Sequence, residues 1–283
     1  MRARNVLIAL ISCVSVLAAC SHSTGTASPT VAVTSSPNPS TSAATAVSSA
    51  VSSAPTPTPH RATPQLVPSS AHPSTNVVSS PGDGLPLAFP TGSATQVITV
   101  VASSTSSHTA VLQGWQRDGS AWQRHGPALM AWVGSDGLTT HPSEAVSATP
   151  IGSFTLTQAF GRDADPGTGL PYHRTTPADW WISEEGAFYN TLQTCSGSCP
   201  FVQGDPNEHL YTTVPYYDYA VVIDYNTPDS PTGVVAGAGS AFFLHVSVGA
   251  PTAGCVAIAQ DQLVAILRWL APADHPRILI GIG

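Results

Sequence analysis

The pattern of apolar and polar positions divides the chain in two. From Ser21 to about Pro90, Ser, Thr, Ala, Pro and Val follow one another with no sustained apolar period, as in "SAPTPTPHRATPQ" (53–65). Such a stretch cannot bury enough apolar surface to offset its chain entropy, so residues 20–91 read as a disordered tether. As flexible coil it spans roughly 45–50 Å. From about Ala94 the pattern changes. "QVITVVA" (96–102) and "TAVLQGWQR" (109–117) predict the first strands, and "AWQRHG" (121–126) and "LMAWV" (129–133) follow, with "GSDG" (134–137) as a turn. "GSFTLT" (152–157), "AVVIDYN" (220–226) and "AFFLHVSV" (241–248) are further strand candidates. "DQLVAILRWL" (261–270) is the one clear helix. Its Leu263, Ile266, Leu267 and Leu270 fall at i, i+3, i+4 and i+7, and Pro272 ends it. "RILIGIG" (277–283) reads as a last buried strand. Residues 92–283 thus predict a single mainly β domain with one C-terminal helix, long enough for a sizeable core.

The first residues, "MRARNVLIALISCVSVLAAC", carry a different pattern: Arg2 and Arg4, then an apolar run from Val6 to Ala19. The run is short for a spanning helix and reads as a signal peptide, residues 1–19. Its end, Leu17–Cys20, resembles the lipobox of bacterial lipoproteins. That resemblance implies lipidation of Cys20 and attachment to the outer face of a membrane. An uncleaved anchor and an ordinary signal peptide are the alternatives, and all three place the rest of the chain outside the cytoplasm.

Composition narrows the partners. The net charge is −7, the nine basic residues are all arginine, and charged residues make up 9% of the chain. Phosphate backbones are bound by clustered basic residues, so nucleic acid is not an expected partner. Five cysteines are present. Cys13 leaves with the signal peptide and Cys20 carries lipid, which leaves Cys195, Cys199 and Cys255. In an oxidising setting two of three pair and one is left over. The short "SGS" spacer favours a Cys195–Cys199 disulfide. Pairing of either with Cys255, free thiols, or a zinc site with His209 are the alternatives, the last lacking a fourth ligand.

The leftover cysteine is a candidate nucleophile. "TLQTC" (191–195) is similar to the nucleophile stretch of sortases, but no arginine follows Cys195 until Arg268. Cys255 sits in "TAGC" among small residues, ten positions after His245. Period-two alternation puts Phe243, His245 and Ser247 on one strand face, with Leu244 and Val246 on the other. A strand followed by a Gly-containing loop can return the thiol to the imidazole, which would activate it. A buried structural cysteine beside a core histidine fits the same spacing.

"HVSVGAPTAGCVAI" (245–258) resembles the active-site signature of the L,D-transpeptidase catalytic domain, the YkuD-like family: a His, a spacer, then Ser/Thr-x-Gly-Cys. "TPIGSF" (149–154) is similar to its Thr-Pro-x-Gly-x-Phe. "DWW…YN" (179–190), "YAVVIDYN" (219–226), "GSAFFLHV" (239–246) and "ILRWLAP" (266–272) resemble an actinobacterial lipoprotein branch. Ala253 stands where many members carry a second histidine, and Val246 where many carry Ser or Gly. The resemblance implies a mixed β-sandwich, with Cys255 as nucleophile, His245 as base, and the backbone amides of Gly254 and Cys255 as oxyanion hole. It implies cleavage of the terminal D-Ala from peptidoglycan tetrapeptide stems and formation of 3→3 cross-links, or hydrolysis. No metal or organic cofactor is expected, and the domain is expected to be a monomer. Thr252, His173, Trp181, Tyr189 and Asn190 are candidate substrate contacts. For His173 a surface loop is the simpler expectation, for Trp180, Trp181 and Tyr189 core packing is an equal one, and Asp179, Glu184 and Glu185 read as a solvated loop. Asn190 and Glu208 match the branch pattern without an assigned role. The rival readings are a wall-binding lipoprotein without catalysis, a papain- or NlpC/P60-type peptidase, for which His275 is the only downstream histidine, and a sortase.

Overall fold

The computed structural model describes residues 84–283. The signal peptide, Cys20 and most of the tether lie outside the described residues. Among the described residues no helix is long and apolar enough to cross a membrane.

A ten-stranded mixed sheet organises the domain. Its strands run, edge to edge, Gly152–Thr155, Arg277–Ile282, Gln96–Ala102, Thr109–Asp118, Ala121–Trp132, Val256–Ile258, Phe243–Val246, Ala220–Val222, Ala159–Gly161 and Tyr172–Arg174. A second, three-stranded sheet orders Leu192–Thr194, Asp179–Trp181 and Glu208–His209. The one α-helix is Gln260–Trp269. The expectation of a mainly β domain with a single C-terminal helix is met.

Strand alternation sorts side chains between two faces of the large sheet. Ile98, Val100 and Ala102 enter the main core with Leu244, Val246, Ile278 and Ile280. The helix closes that core with Leu263, Ile266, Leu267 and Leu270, the stripe read from the sequence. Phe243 points the other way, into a second cluster with Phe160, Trp181, Leu210, Tyr217 and Cys255. The predicted split of Phe243 from Leu244 and Val246 is therefore present.

Three details differ from expectation. "AWQRHG" and "LMAWV" are one strand, Ala121–Trp132, paired with Thr109–Asp118 across a register shift near Leu112 and Gly114. Only Ala220–Val222 of "AVVIDYN" is strand, because Asp224 leaves the ladder to take the hydroxyls of Thr155 and Thr157. The third concerns the tether. Leu85, Leu87 and Phe89, which fall inside the stretch read as tether for want of an apolar period, pack with Val97, Trp115 and Leu279 on the sheet face opposite the main core. Leu87 is 5% exposed. A Cβ on Gly281 would lie 3.0 Å from the Phe89 ring and 3.1 Å from Leu87, so glycine leaves the flat spot on which this segment lies.

The folded unit thus begins before Gly92. Leu87→Ala should cost ~2–4 kcal/mol, the usual range for a buried leucine. A chain starting at Gly92 should melt several degrees below one starting at Gly84, and equal melting points by calorimetry would show that the segment adds nothing.

Candidate active site

The site is built where Phe243–Val246 and Val256–Ile258 run parallel, with Leu244 level with Val256 and His245 level with Ala257. Cys255 therefore lies beside Phe243, at the start of its strand. Its Sγ accepts the Phe243 N–H at 3.3 Å and donates to the Ala241 carbonyl at 3.2 Å. Cys255 is the free cysteine among the described residues, and it is buried. Cys195 and Cys199 are bonded to each other, as expected, and so neither is available as a thiolate.

The loop before Cys255 is fixed by hydroxyls. Thr252 Oγ1 donates to the Cys255 carbonyl at 2.7 Å and accepts the Gly254 N–H at 3.1 Å. Thr149, from the "TPIGSF" stretch, accepts the Gly134 N–H at 2.9 Å and donates to the Cys255 carbonyl at 3.4 Å. Gly254 has φ +138°, and a Cβ there would sit 2.6 Å from the Phe242 ring, so "TAGC" requires its glycine. The Cys255 N–H has no partner among the described residues. Of the two amides expected to form an oxyanion hole, that of Cys255 is free, while that of Gly254 is engaged by Thr252.

His245 is buried, with its ring edge-on to Tyr216 and Tyr217 at 5.7 Å. Nδ1 lies 2.9 Å from the Val246 carbonyl, to which an N–H donates. That bond assigns the neutral tautomer with Nε2 as a free acceptor. Only the backbone of Val246 takes part. Burial holds His245 down to about 4. Burial, with the Glu208 carboxylate adding to it, pushes the Cys255 thiol well up, against the pull of the Phe243 amide. At neutral pH the two groups rest as neutral thiol and neutral imidazole.

Both side chains open onto a cleft of about 680 Å³, also lined by Thr252, Glu144, Glu208 and Tyr217. Glu208 accepts a short hydrogen bond from the Tyr217 hydroxyl. Burial raises Glu208 to about 7 while that hydroxyl pulls the other way. Glu208 and Tyr217 were not assigned from the sequence, because a partnership across a turn leaves no period. Glu144 accepts from Tyr189 and, at 3.2 Å, from Ser240.

The remaining candidates separate. Thr252 faces the cleft. Tyr189 is buried behind Glu144 and acts on the cleft through it. Trp181 is core, packed on Phe243 and donating from Nε1 to Asn190 at 2.8 Å. Asn190 also accepts the Ala241 N–H at 3.0 Å and donates to the Tyr225 and Asn226 carbonyls, so it anchors the segment that holds the thiol. Its φ of +57° suits asparagine. His173 is not at the cleft. It pairs at 3.0 Å with Asp179, which is fully buried and held by Thr176 and Thr194, not solvated as its sequence setting suggests.

Comparison with protein-family models, with curated proteins and with solved structures finds no match for this chain.

Proposed function

We propose that the protein is a cell-wall L,D-transpeptidase on a lipid-anchored tether, acting on peptidoglycan stem peptides outside the cytoplasmic membrane. The observation that carries this reading is that a free, buried Cys255 and a tautomer-fixed His245 line one cleft, on a sequence resembling the L,D-transpeptidase signature. The anchor and the family fold type rest on the sequence resemblance alone.

In this reading the thiol turns from the Ala241 carbonyl toward Nε2 as substrate enters. His245 takes the proton while Sγ attacks the carbonyl that joins the third stem residue to the terminal D-Ala. The developing oxyanion is met by the Cys255 N–H, and Gly254 contributes where its amide leaves Thr252. The C–N bond breaks, D-Ala departs with the proton from His245, and a thioester remains. An amine of a second stem, or water, then attacks the thioester while His245 takes a proton from it, and as the C–S bond breaks His245 passes that proton to Sγ. Neutral reactants suit a buried site, since no isolated ion has to be held there before the substrate arrives. The second reading, a wall-binding lipoprotein on the same fold, is favoured by the same burial of Cys255 and by the thiol's bond to a backbone carbonyl.

Cys255→Ala should abolish covalent labelling by stem peptides and by carbapenems, read by intact-protein mass spectrometry. His245→Ala should remain folded by circular dichroism and slow acylation by about 10²–10⁴-fold, the usual worth of a positioned base. A folded His245→Ala protein that acylates at the parent rate would remove His245 from the mechanism. No acylation of the parent would favour the binding-protein reading.

The pH profile has a defined shape. His245 is held low, so its base form persists on the acid side, and the acid limb of acylation should lie near the value of about 4 rather than at the ordinary histidine value. Glu208 gains its charge as pH rises through about 7, which opposes thiolate formation, so the rate should fall on that side. Glu208→Gln should flatten the fall. A profile unchanged by Glu208→Gln would show that Glu208 does not act on the thiol.

A further inference from the structure

A second pocket lies outside the catalytic cleft, lined by Arg162, Asp163, Arg174, Thr175, Thr176, Pro177 and Tyr211. We propose that it is a binding site for a single carboxylate, that of a peptide. The assignment to a peptide rests on the transpeptidase reading. The anion site does not.

Sheet pairing sets Arg174 and Arg162 at the end of one ladder, and both line the pocket. Ala159–Gly161 and Tyr172–Arg174 run parallel with Gly161 level with Arg174, and the Thr175 N–H reaches the Gly161 carbonyl at 2.8 Å. Arg162 and Thr175 are therefore neighbours across the ladder end. Among the described residues Arg268 donates to the Pro166 carbonyl and Arg277 to Ser153, while Arg117 and Arg124 lie over Trp122 and Trp115 on separate parts of the sheet. Arg174 makes no hydrogen bond or ion pair among the described residues, and Arg162 touches only the Tyr211 ring, 5.1 Å from its centroid. Both forks keep their donors free.

A second observation points to a ligand. Thr175 is 4% exposed, and its Oγ1 is buried with no hydrogen-bond partner. Buried hydroxyls are nearly always partnered, so this one calls for an oxygen that the protein does not supply. The two guanidinium groups are offset by Asp163 and by Asp218, whose carboxyl Arg162 also influences, so the pocket has no surplus charge to hold a dianion and a carboxylate is the better fit. A carboxylate accepts the planar arginine fork through both oxygens and leaves a lone pair for a hydroxyl.

The pocket shares walls with the cleft. The Arg162 N–H donates to the Tyr217 carbonyl at 2.9 Å, and His209 Nε2 lies 2.9 Å from the Pro177 carbonyl. Tyr217 and His209 both line the cleft. A peptide carboxylate held here would be bound next to the chemistry without entering it.

The test is an NMR titration of the full chain with acetyl-D-alanine, its amide, and inorganic phosphate, following the Thr175 amide. Acetyl-D-alanine should shift that resonance saturably and the amide should not. Arg174→Gln and Arg162→Gln should each weaken Kd by about tenfold or more, the worth of a charge-assisted bond pair. Arg117→Gln should match the parent. Cys255→Ala should bind as the parent does, whether or not the parent acylates, so failure here is separable from failure of the transpeptidase reading. If Arg162→Gln does not fold by circular dichroism, Arg174→Gln, which removes no contact, decides alone. Parent affinity in a folded Arg174→Gln protein, equal binding of the amide, or tighter binding of phosphate would each overturn the proposal.

Discussion

Parallel pairing between Phe243–Val246 and Val256–Ile258 fixes which backbone groups can reach Cys255. With Leu244 level with Val256, the residue before Val256 must lie beside Phe243, and its side chain must share the face of Phe243 and His245. Parallel neighbours need a crossover between them, and here residues 247–255 supply it without a helix. That loop is pinned to the turn after Trp132, where the Thr252 N–H meets the Val133 carbonyl and the Ser135 N–H meets the Thr252 carbonyl. The glycine, the threonine and the thiol of "TAGC" follow from this one register. A slip by a single residue would send His245 into the apolar core and bring Leu244 to the cleft.

Much of this was legible because it is local. Alternation in "AFFLHVSV" separated His245 from Leu244 and Val246, and a 3.6-residue period revealed the helix. The spacing of Cys195 and Cys199 gave their pairing. What escaped depends on residues far apart in sequence. Leu87 is buried by Leu279 and Trp115, which no window around "GLPLAF" contains. Asp179 looks solvated beside Glu184 and Glu185, yet it is enclosed by hydroxyls brought in from Thr176 and Thr194. Asn190 carried a pattern without a reason, and the reason is a set of four hydrogen bonds to segments up to residue 241.

The electrostatics of the cleft follow from the scarcity of cations. Glu144, Asp205 and Glu208 line it, and no arginine does. Without a positive partner, half-buried Glu208 meets its desolvation by proton uptake and by the Tyr217 hydroxyl. Its charge state then bears on the thiol nearby, so three groups that look independent in sequence titrate as neighbours. Arg162 and Arg174 are at the other pocket, separated from the cleft by the Tyr216–Asp218 turn and the Pro177–His209 contact.

The buried, protonated state of Cys255 also has a consequence for durability. Oxidation and disulfide exchange begin with attack by the thiolate on the oxidant or disulfide, at a rate set by its population and its access. Cys255 is 7% exposed, and its proton is shared with the Ala241 carbonyl. Cys195 and Cys199 satisfy one another in a separate cluster beneath Trp180 and Phe201, so neither offers it a thiol for exchange. In surroundings without a reducing pool, such a cysteine ages slowly.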